Sequence, residues 1–447
     1  MQLNLQRNAI WALVEAISSS IVLFFLYKLV VSFLGVEALG IWSLVLATTS
    51  LMRLADAGAA SGLGRFVAKS AELQDRSISR GYIDTAILTN LVLYILLALA
   101  FFWPAQYGLS FAIHKQSALE VARGLLPYAL ASFVLGNLAN AASSALAGLQ
   151  RSDLRSIVTI GGLVVQIVSS FILIPDRGLT GLAIAQLLQN GFGLVSSLIL
   201  AHFVLYRRYG IIFPFHWRKH AFKDLVGFGI QLQFSGIISF LYDPLAKFLM
   251  SSFAGLEATG LFEMANRLVF QVRSLLISPV HILVPAFALL NERDPEEANI
   301  LYRRSFAMTA GIGIPLIAGV AATSPLVSFV LLAKVDFLFV VFVSLLSCGW
   351  LVNLLAAPAY LLGEGTGNVR WNIAGNLVII SVSLVFGIIM GRAFGGIGVA
   401  AAAVGAQILG SSLTLIMNCR SRAVNTLVSF QEIKFELISR FMKRAGH

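Results

Sequence analysis

The chain has 447 residues, of which 58% are hydrophobic and only 12% are charged. Soluble domains carry about a quarter charged residues, and the mean hydropathy here is +0.86, so the composition excludes a soluble globular protein. It predicts a polytopic membrane protein. The formal net charge of +11 does not require a nucleic-acid partner, because cytoplasmic loops of membrane proteins are rich in Lys and Arg.

Apolar segments follow one another along the chain, each long enough for a bilayer-spanning helix, which needs about 20 residues. Charged breaks separate them, such as "LQRSDLR" at 149–155 and "NERDPEEANILYRR" at 291–304. The sequence therefore predicts an all-α polytopic membrane protein with about 12 transmembrane helices, at 9–34, 37–62, 82–103, 122–148, 156–174, 179–205, 224–250, 258–289, 305–325, 336–362, 371–391 and 396–419.

The distribution of Lys and Arg predicts the orientation. With the N-terminus inside, the inner segments hold 22 of the 32 basic residues, whereas the outer loops hold only Lys115, Arg177, Lys334 and Arg392. Basic loops stay in the cytoplasm. Both termini are therefore predicted to be cytoplasmic.

The two halves of the chain resemble each other. "LGVEALGIW" (34–42) matches "AGLEATGLF" (254–262) at an offset of 220, which also aligns Arg53 with Arg273, and "GLTGLAIA" (178–185) matches "GGIGVAAA" (395–402) at 217. Such repeats indicate two pseudo-symmetric six-helix lobes around a central cavity. The predicted domains are an N-terminal lobe (1–206), a cytoplasmic linker (207–223), a C-terminal lobe (224–419) and a basic cytoplasmic tail (420–447) that fits an interfacial amphipathic helix.

Charged residues inside the membrane are costly and usually face a water-filled cavity. They concentrate in spans 1, 2, 7 and 8, and helical spacing of 100° per residue places those of span 8 on one face. The candidate cavity cations are Arg53, Arg273, Arg267, Lys247 and Lys28. The candidate acids, for coupling-ion or proton binding or for ion pairs, are Asp56, Asp243, Glu263, Glu15 and Asp84.

These charges have two interpretations. A surplus of arginine in a cavity suits a phosphate or an acidic sugar, because the guanidinium group binds such oxygens in bidentate fashion. Alternatively, Arg53–Asp56, Asp243–Lys247 and Glu263–Arg267 are internal ion pairs that hold the helices in register. The sequence alone leaves both open for any single pair.

The stretch "LGVEALGIWSLVLATTSLMRLADAGAASGLGRFVAK" (34–69), followed by "AGLQRSDLRSIV" (147–158), resembles the bacterial polysaccharide flippases (Wzx-like, polysaccharide transporter family) of the multidrug/oligosaccharidyl-lipid/polysaccharide (MOP) exporter superfamily. In that family the second span typically ends in D-x-G followed by a basic residue, here Asp56, Gly58 and Arg65. The loop after span 4 typically carries G-x-x-[RK], here Gly148 to Arg151.

The resemblance implies an alternating-access transporter that flips an undecaprenyl-pyrophosphate-linked oligosaccharide from the cytoplasmic to the outer leaflet of the bacterial cytoplasmic (inner) membrane. Arg53 and Arg273 would then contact the pyrophosphate or acidic sugars. The implied partners are this lipid-linked oligosaccharide and membrane lipids, with a polysaccharide polymerase and assembly proteins as further candidates. No cofactor is implied, although coupling to H⁺ or Na⁺ is an option.

Two other functions compete. A cation-coupled multidrug antiporter of the same superfamily would need fewer cavity arginines, since its substrates are mostly cations. A membrane-bound polysaccharide polymerase would need a large outer loop or an acidic catalytic loop, and we find neither, nor a nucleophile triad or metal-ligand spacing. The sequence therefore favours a transporter over an enzyme.

Overall fold

The computed structural model describes residues 5–52, 59–72, 76–209, 216–227, 240–280 and 283–421. Nearly all of them are helical, and no strand occurs within these ranges. The helices are α1 (Leu5–Ser50), α2 (Ala59–Glu72), α3 (Arg76–Ala112), α4 (Gln116–Gly148), α5 (Ser152–Tyr209), α6 (219–227), α7 (Tyr242–Val280), α8 (Leu283–Arg293), α9 (Pro295–Leu332), α10 (Phe337–Gly365) and α11 (Arg370–Arg420). Of the predicted tail (420–447), residues 422–447 lie outside the described ranges.

Several helices are too long for a single crossing. Within the described ranges, seven helices contain stretches long and apolar enough to span a membrane: α1, α3, α4, α5, α9, α10 and α11. The 58 residues of α5 would extend about 85 Å at 1.5 Å per residue, against a hydrocarbon core of about 30 Å. Helices of this length must therefore contain a reversal of the chain.

Single glycines make these reversals. Gly35 in α1 and Gly255 in α7 both have φ 82°, with ψ 173° and −178°, whereas Gly178 in α5 and Gly395 in α11 have φ 56° and 57°, with ψ −135° and −138°. Only glycine adopts such positive-φ extended conformations without strain. All four lie between predicted spans, and their spacing repeats the offsets of 220 and 217, which agrees with the predicted internal duplication.

The described part of the predicted second span contains the end of a helix. Helix α1 ends at Ser50, and residues 51–52 form a 3₁₀ turn. Hydroxyl groups that bond back to helix carbonyls bend or loosen a helix end, and Thr48, Thr49 and Ser50 all do so. The predicted count of 12 spans stays a prediction, because spans 37–62, 224–250 and 258–289 all include residues outside the described ranges.

The structure separates into two compact units, Met1–Phe240 and Leu241–His447, here called the N-terminal and C-terminal units. The core of the N-terminal unit joins α2, α3, α4 and α5, with Leu63, Ile87 and Leu146 among its buried residues. The core of the C-terminal unit includes Phe287 and Tyr302, and Cys419 donates a hydrogen bond from Sγ to the Tyr302 hydroxyl over 3.1 Å. The predicted lobe boundaries stay predictions.

Candidate functional site

Four charged side chains of α7 form one chain of ion pairs in the C-terminal unit. Lys247 Nζ lies 2.8 Å from Asp243 Oδ2 and 2.7 Å from Glu263 Oε2. Arg267 Nε donates to Glu263 Oε1 over 2.9 Å. The side chain of Lys247 is only 2% exposed, whereas Asp243 and Arg267 at the two ends are 39% and 42% exposed. We call these four residues the α7 charge cluster.

The turn at Gly255 brings these charges together. Lys247 and Glu263 lie equally far from Gly255 on the two arms of α7, and Asp243 and Arg267 each lie one helical turn further out. Reversal of the chain at Gly255 therefore sets Lys247 opposite Glu263. Along each arm the members of a pair are four residues apart, the spacing at which side chains on one helix face meet.

The cluster is electrically balanced, since two acids face two bases. A buried lysine loses several kcal/mol of hydration energy, which only close and well-oriented counter-charges offset. Here Lys247 has two carboxylates within ion-pair distance. The candidate cavity cations Lys247 and Arg267 are thus matched by the candidate acids Asp243 and Glu263, and the cluster itself contributes no surplus positive charge.

A hydrogen-bond chain leads from the cluster to α10. Asn266 Nδ2 donates to Asp243 Oδ1 over 3.1 Å, and the Trp350 indole Nε1 donates to Asn266 Oδ1 over 3.0 Å. An indole N–H can only donate and a carboxylate can only accept, so these two partners fix which way the Asn266 amide points. Trp350 is 8% exposed.

Arg273, one of the predicted substrate-binding residues, has a different environment. Its Cζ lies 5.0 Å from the centre of the Trp350 ring and 5.9 Å from that of Phe270. Its Nε is buried without a hydrogen-bond partner in the described part of the chain, where Arg273 forms no ion pair. Aromatic faces stabilise a cation without neutralising it, so Arg273 keeps its positive charge.

Glu15 and Lys28 belong to α1 in the N-terminal unit. Ser156 of α5 donates from Oγ to Glu15 Oε2 over 2.7 Å. Lys28 is half-buried and also engaged within the protein. The contact of Glu15 joins α1 to α5 and involves neither Lys28 nor a second acid.

Asp84 of α3 holds the chain segment that leads into α6. The His216 backbone N–H donates to Asp84 Oδ2 over 3.0 Å, and Arg80 Nε lies 3.5 Å from the same oxygen. On the next residue, Thr85 Oγ1 accepts from the Arg218 backbone N–H over 2.9 Å. Asp84 is buried. Its contacts in the structure are therefore those of an anchor for residues 216–218.

The predicted candidates thus fall into separate groups. The structure joins Asp243, Lys247, Glu263 and Arg267, and Trp350 lies between this cluster and Arg273. The predictions on Arg53 and Asp56 concern positions outside the described residues. Sequence reasoning missed Trp350, because a tryptophan within an apolar run has no signal that separates a core residue from one beside an arginine.

Comparison with solved structures identifies the fold. The structure resembles an inward-facing multidrug resistance MATE family transporter of the MOP superfamily (TM-score 0.75, 16% identity, 90% of this chain and 94% of the other covered). It also resembles the lipid II flippase MurJ in an inward closed conformation (TM-score 0.71, 13% identity, 97% and 91% covered). A further match is a MOP superfamily transporter from Pyrococcus furiosus (TM-score 0.64, 16% identity, 93% and 95% covered). The chain therefore has the fold of the MOP superfamily transporters, and the predicted all-α polytopic membrane fold is confirmed.

The family follows from the sequence. Residues 29–335 match the model of a family described as polysaccharide biosynthesis protein. This range covers more than half of the 447 residues, so the chain belongs to that family. No curated protein matches the chain at a significant level. Family and fold together confirm the predicted resemblance to Wzx-like polysaccharide flippases.

Proposed function

We propose that this protein flips an undecaprenyl-diphosphate-linked oligosaccharide, a repeat unit of O-antigen, capsule or exopolysaccharide, from the cytoplasmic to the outer leaflet of the bacterial cytoplasmic membrane. The observation that carries the proposal is the match of residues 29–335 to the polysaccharide biosynthesis family, in a chain with the fold of membrane transporters. The protein acts by alternating access and catalyses no bond cleavage.

Arg273 is the residue to which we assign contact with the diphosphate. Its guanidinium is held by ring faces and makes no ion pair among the described residues, so no carboxylate of the described chain competes with an incoming anion. A planar guanidinium binds phosphate oxygens in bidentate fashion. Its counterpart in the sequence repeat, Arg53, is proposed for the same role.

The remaining candidates receive supporting roles. Lys247, Arg267, Asp243 and Glu263 hold the two arms of α7 together through the charge cluster. Glu15 joins α1 to α5, and Asp84 anchors residues 216–218. Coupling to H⁺ or Na⁺ would then rest on Asp56 or on the partly exposed carboxylate of Asp243.

The setting of the protein is also a proposal. The excess of Lys and Arg in alternate loops supports cytoplasmic termini and a location in the inner membrane. The substrate and the surrounding lipids are the primary partners. A polysaccharide polymerase and assembly proteins would take the flipped repeat unit on the outer side.

A cation-coupled multidrug antiporter is the second candidate, and one observation favours it. The α7 charge cluster is balanced, so the surplus of intramembrane cations is smaller than the sequence suggests. Most of the similar structures are MATE transporters. A balanced charge cluster is compatible with transport of organic cations. An arginine without an ion-pair partner in the described chain, as at Arg273, would not help to bind a positively charged substrate.

Deletion of the gene separates the two candidates. If the protein is a flippase, a complete undecaprenyl-linked repeat unit should accumulate in membrane extracts of the deletion strain, and surface polysaccharide should be lost.

Complementation of the deletion strain tests Arg273. The Arg273→Gln variant should fail to restore export, whereas the Arg370→Gln variant should restore it. Arg370 is a matched control because it also lies over a tryptophan, with Cζ 5.1 Å from the Trp371 ring. Unchanged lipid-linked pools with new sensitivity to cationic dyes would instead support the antiporter.

A further inference from the structure

Trp350 is fixed in place from both arms of α7. Its indole N–H donates to Asn266 on the second arm over 3.0 Å. Its ring packs edge-on against Tyr242 of the first arm, with centroids 6.4 Å apart and planes at 87°. Phe270 lies against it at 5.2 Å and 67°. Edge-to-face contacts at these distances are favourable and directional, so the ring has little freedom to tilt.

The fixed ring determines where the guanidinium of Arg273 can lie. Arginine has several rotatable bonds, and a group that binds a diphosphate must be held near one geometry to bind it well. The face of tryptophan is the best aromatic partner for a guanidinium. Arg273 Cζ lies over the Trp350 ring, 5.0 Å from its centroid, and the described chain contributes no hydrogen bond to the buried Nε.

The α7 charge cluster therefore extends to Arg273 in three steps. Asp243 orients the Asn266 amide, the Asn266 oxygen orients the Trp350 indole, and the Trp350 face holds Arg273. Building on the diphosphate-binding role proposed above for Arg273, we propose that Trp350 is a positioning residue that presents this guanidinium to the diphosphate of the lipid-linked substrate. A tryptophan that served only as core packing would affect stability and leave the diphosphate contact unchanged.

Ligand binding to the purified full-length protein tests this. The probes are farnesyl diphosphate and farnesyl monophosphate, and the variants are Trp350→Leu, Trp350→Phe, Arg273→Gln and the double variant Trp350→Leu/Arg273→Gln. Trp371→Leu is the matched control, because it removes a tryptophan face from Arg370 rather than from Arg273. Thermal melting of each variant confirms that it is folded.

We expect Trp350→Leu to weaken binding of farnesyl diphosphate roughly tenfold, within the range of a desolvated cation–π contact. Trp350→Phe, which keeps a ring face, should lose roughly threefold. The decisive result is non-additivity: in the Arg273→Gln background, loss of Trp350 should cause no further weakening. The monophosphate, which offers fewer oxygens to the guanidinium, should respond less to every substitution, and Trp371→Leu should bind like the wild type.

Two patterns would overturn the inference. Equal weakening by Trp350→Leu with and without Arg273 would show that Trp350 acts independently of the guanidinium. Wild-type affinity in Trp350→Leu, together with impaired binding in Arg273→Gln, would show that Trp350 does not position the guanidinium, and it would leave the proposed function intact.

Other outcomes bear on the proposed function. Wild-type affinity in Arg273→Gln, or a wild-type protein that binds neither probe, would contradict it. If Trp350→Leu fails to fold, Trp350→Phe carries the same comparison.

Discussion

Lys247 and Glu263 form a buried ion pair across the Gly255 turn, with Nζ and Oε2 2.7 Å apart. Both side chains are almost completely inaccessible. Their pairing links the two arms of α7 at a buried position, where either charge alone would be costly.

Removing one member of this pair should destabilise the protein more than removing both. Glu263→Gln leaves Lys247 with a single carboxylate, and loss of a partner from a buried ion pair typically costs about 3–5 kcal/mol. We expect a strongly lowered melting temperature in detergent and poor membrane yield. Lys247→Met combined with Glu263→Met should recover much of this loss. Equal stability of Glu263→Gln and the wild type would refute the buried pair.

Gly255→Ala tests the turn itself. No heavy atom lies within 4 Å of the position of an added Cβ, so the effect should come only from the backbone, whose φ is 82°. Forcing alanine into this conformation should cost about 1–3 kcal/mol, measured as a shift in thermal unfolding.

The control for this substitution is Gly405→Ala in α11. That glycine also has open space around its Cβ position but has no positive φ, so alanine should be neutral or stabilising by about 0.5–1 kcal/mol. If both substitutions had the same effect, the positive φ of Gly255 would not be the cause.

Substitutions of Asp84 test whether this residue anchors residues 216–218 or carries a proton during transport. Asp84→Asn keeps an oxygen that can accept the His216 N–H, so an anchor predicts near-normal stability and transport. Asp84→Ala removes the acceptor and should cost about 1–3 kcal/mol, the usual penalty for an orphaned buried donor. Loss of transport in Asp84→Asn, at normal expression and stability, would instead support the coupling role considered for this acid.

The substitution Arg273→Lys tests whether substrate binding needs the planar guanidinium group or only its positive charge. Lysine keeps the positive charge but lacks the planar fork that binds two phosphate oxygens at once. We expect folded protein with KM for the lipid-linked substrate raised roughly tenfold and a smaller change in kcat, consistent with loss of about 1.4 kcal/mol of binding energy. Reconstituted vesicles and a fluorescent lipid-linked sugar provide the measurement. An unchanged KM would show that a residue other than Arg273 contacts the diphosphate.

Much of the fold is visible in the sequence, because membrane crossing depends on local composition. The apolar segments and the repeat place reversals between residues 34 and 37 and between 250 and 258, and the structure turns at Gly35 and Gly255. The same reasoning missed the 3₁₀ turn at residues 51–52, because apolar content reveals neither such a turn nor the hydroxyl bonds near the end of α1 at Ser50.

The site was less accessible to prediction. Helical spacing correctly paired Asp243 with Lys247 and Glu263 with Arg267 along α7. The cross-pair Lys247–Glu263 was missed, although the equal distances of the two residues from Gly255 contain that information. The contact between Trp350 and Arg273 depends on how α10 packs on α7, and no pattern within either segment encodes it. The role of Arg53 stays a prediction.

The one-residue reversals at Gly35, Gly178, Gly255 and Gly395 also decide where this protein can be engineered. These four are among the six connections on the predicted outer side, and each of them turns without a separate loop. An epitope or a fluorescent reporter inserted there would therefore force two packed helices apart. The stretches 113–115 and 333–336 are true loops with exposed residues. A tag placed in either of them would report surface accessibility in cells without disturbing a helical hairpin.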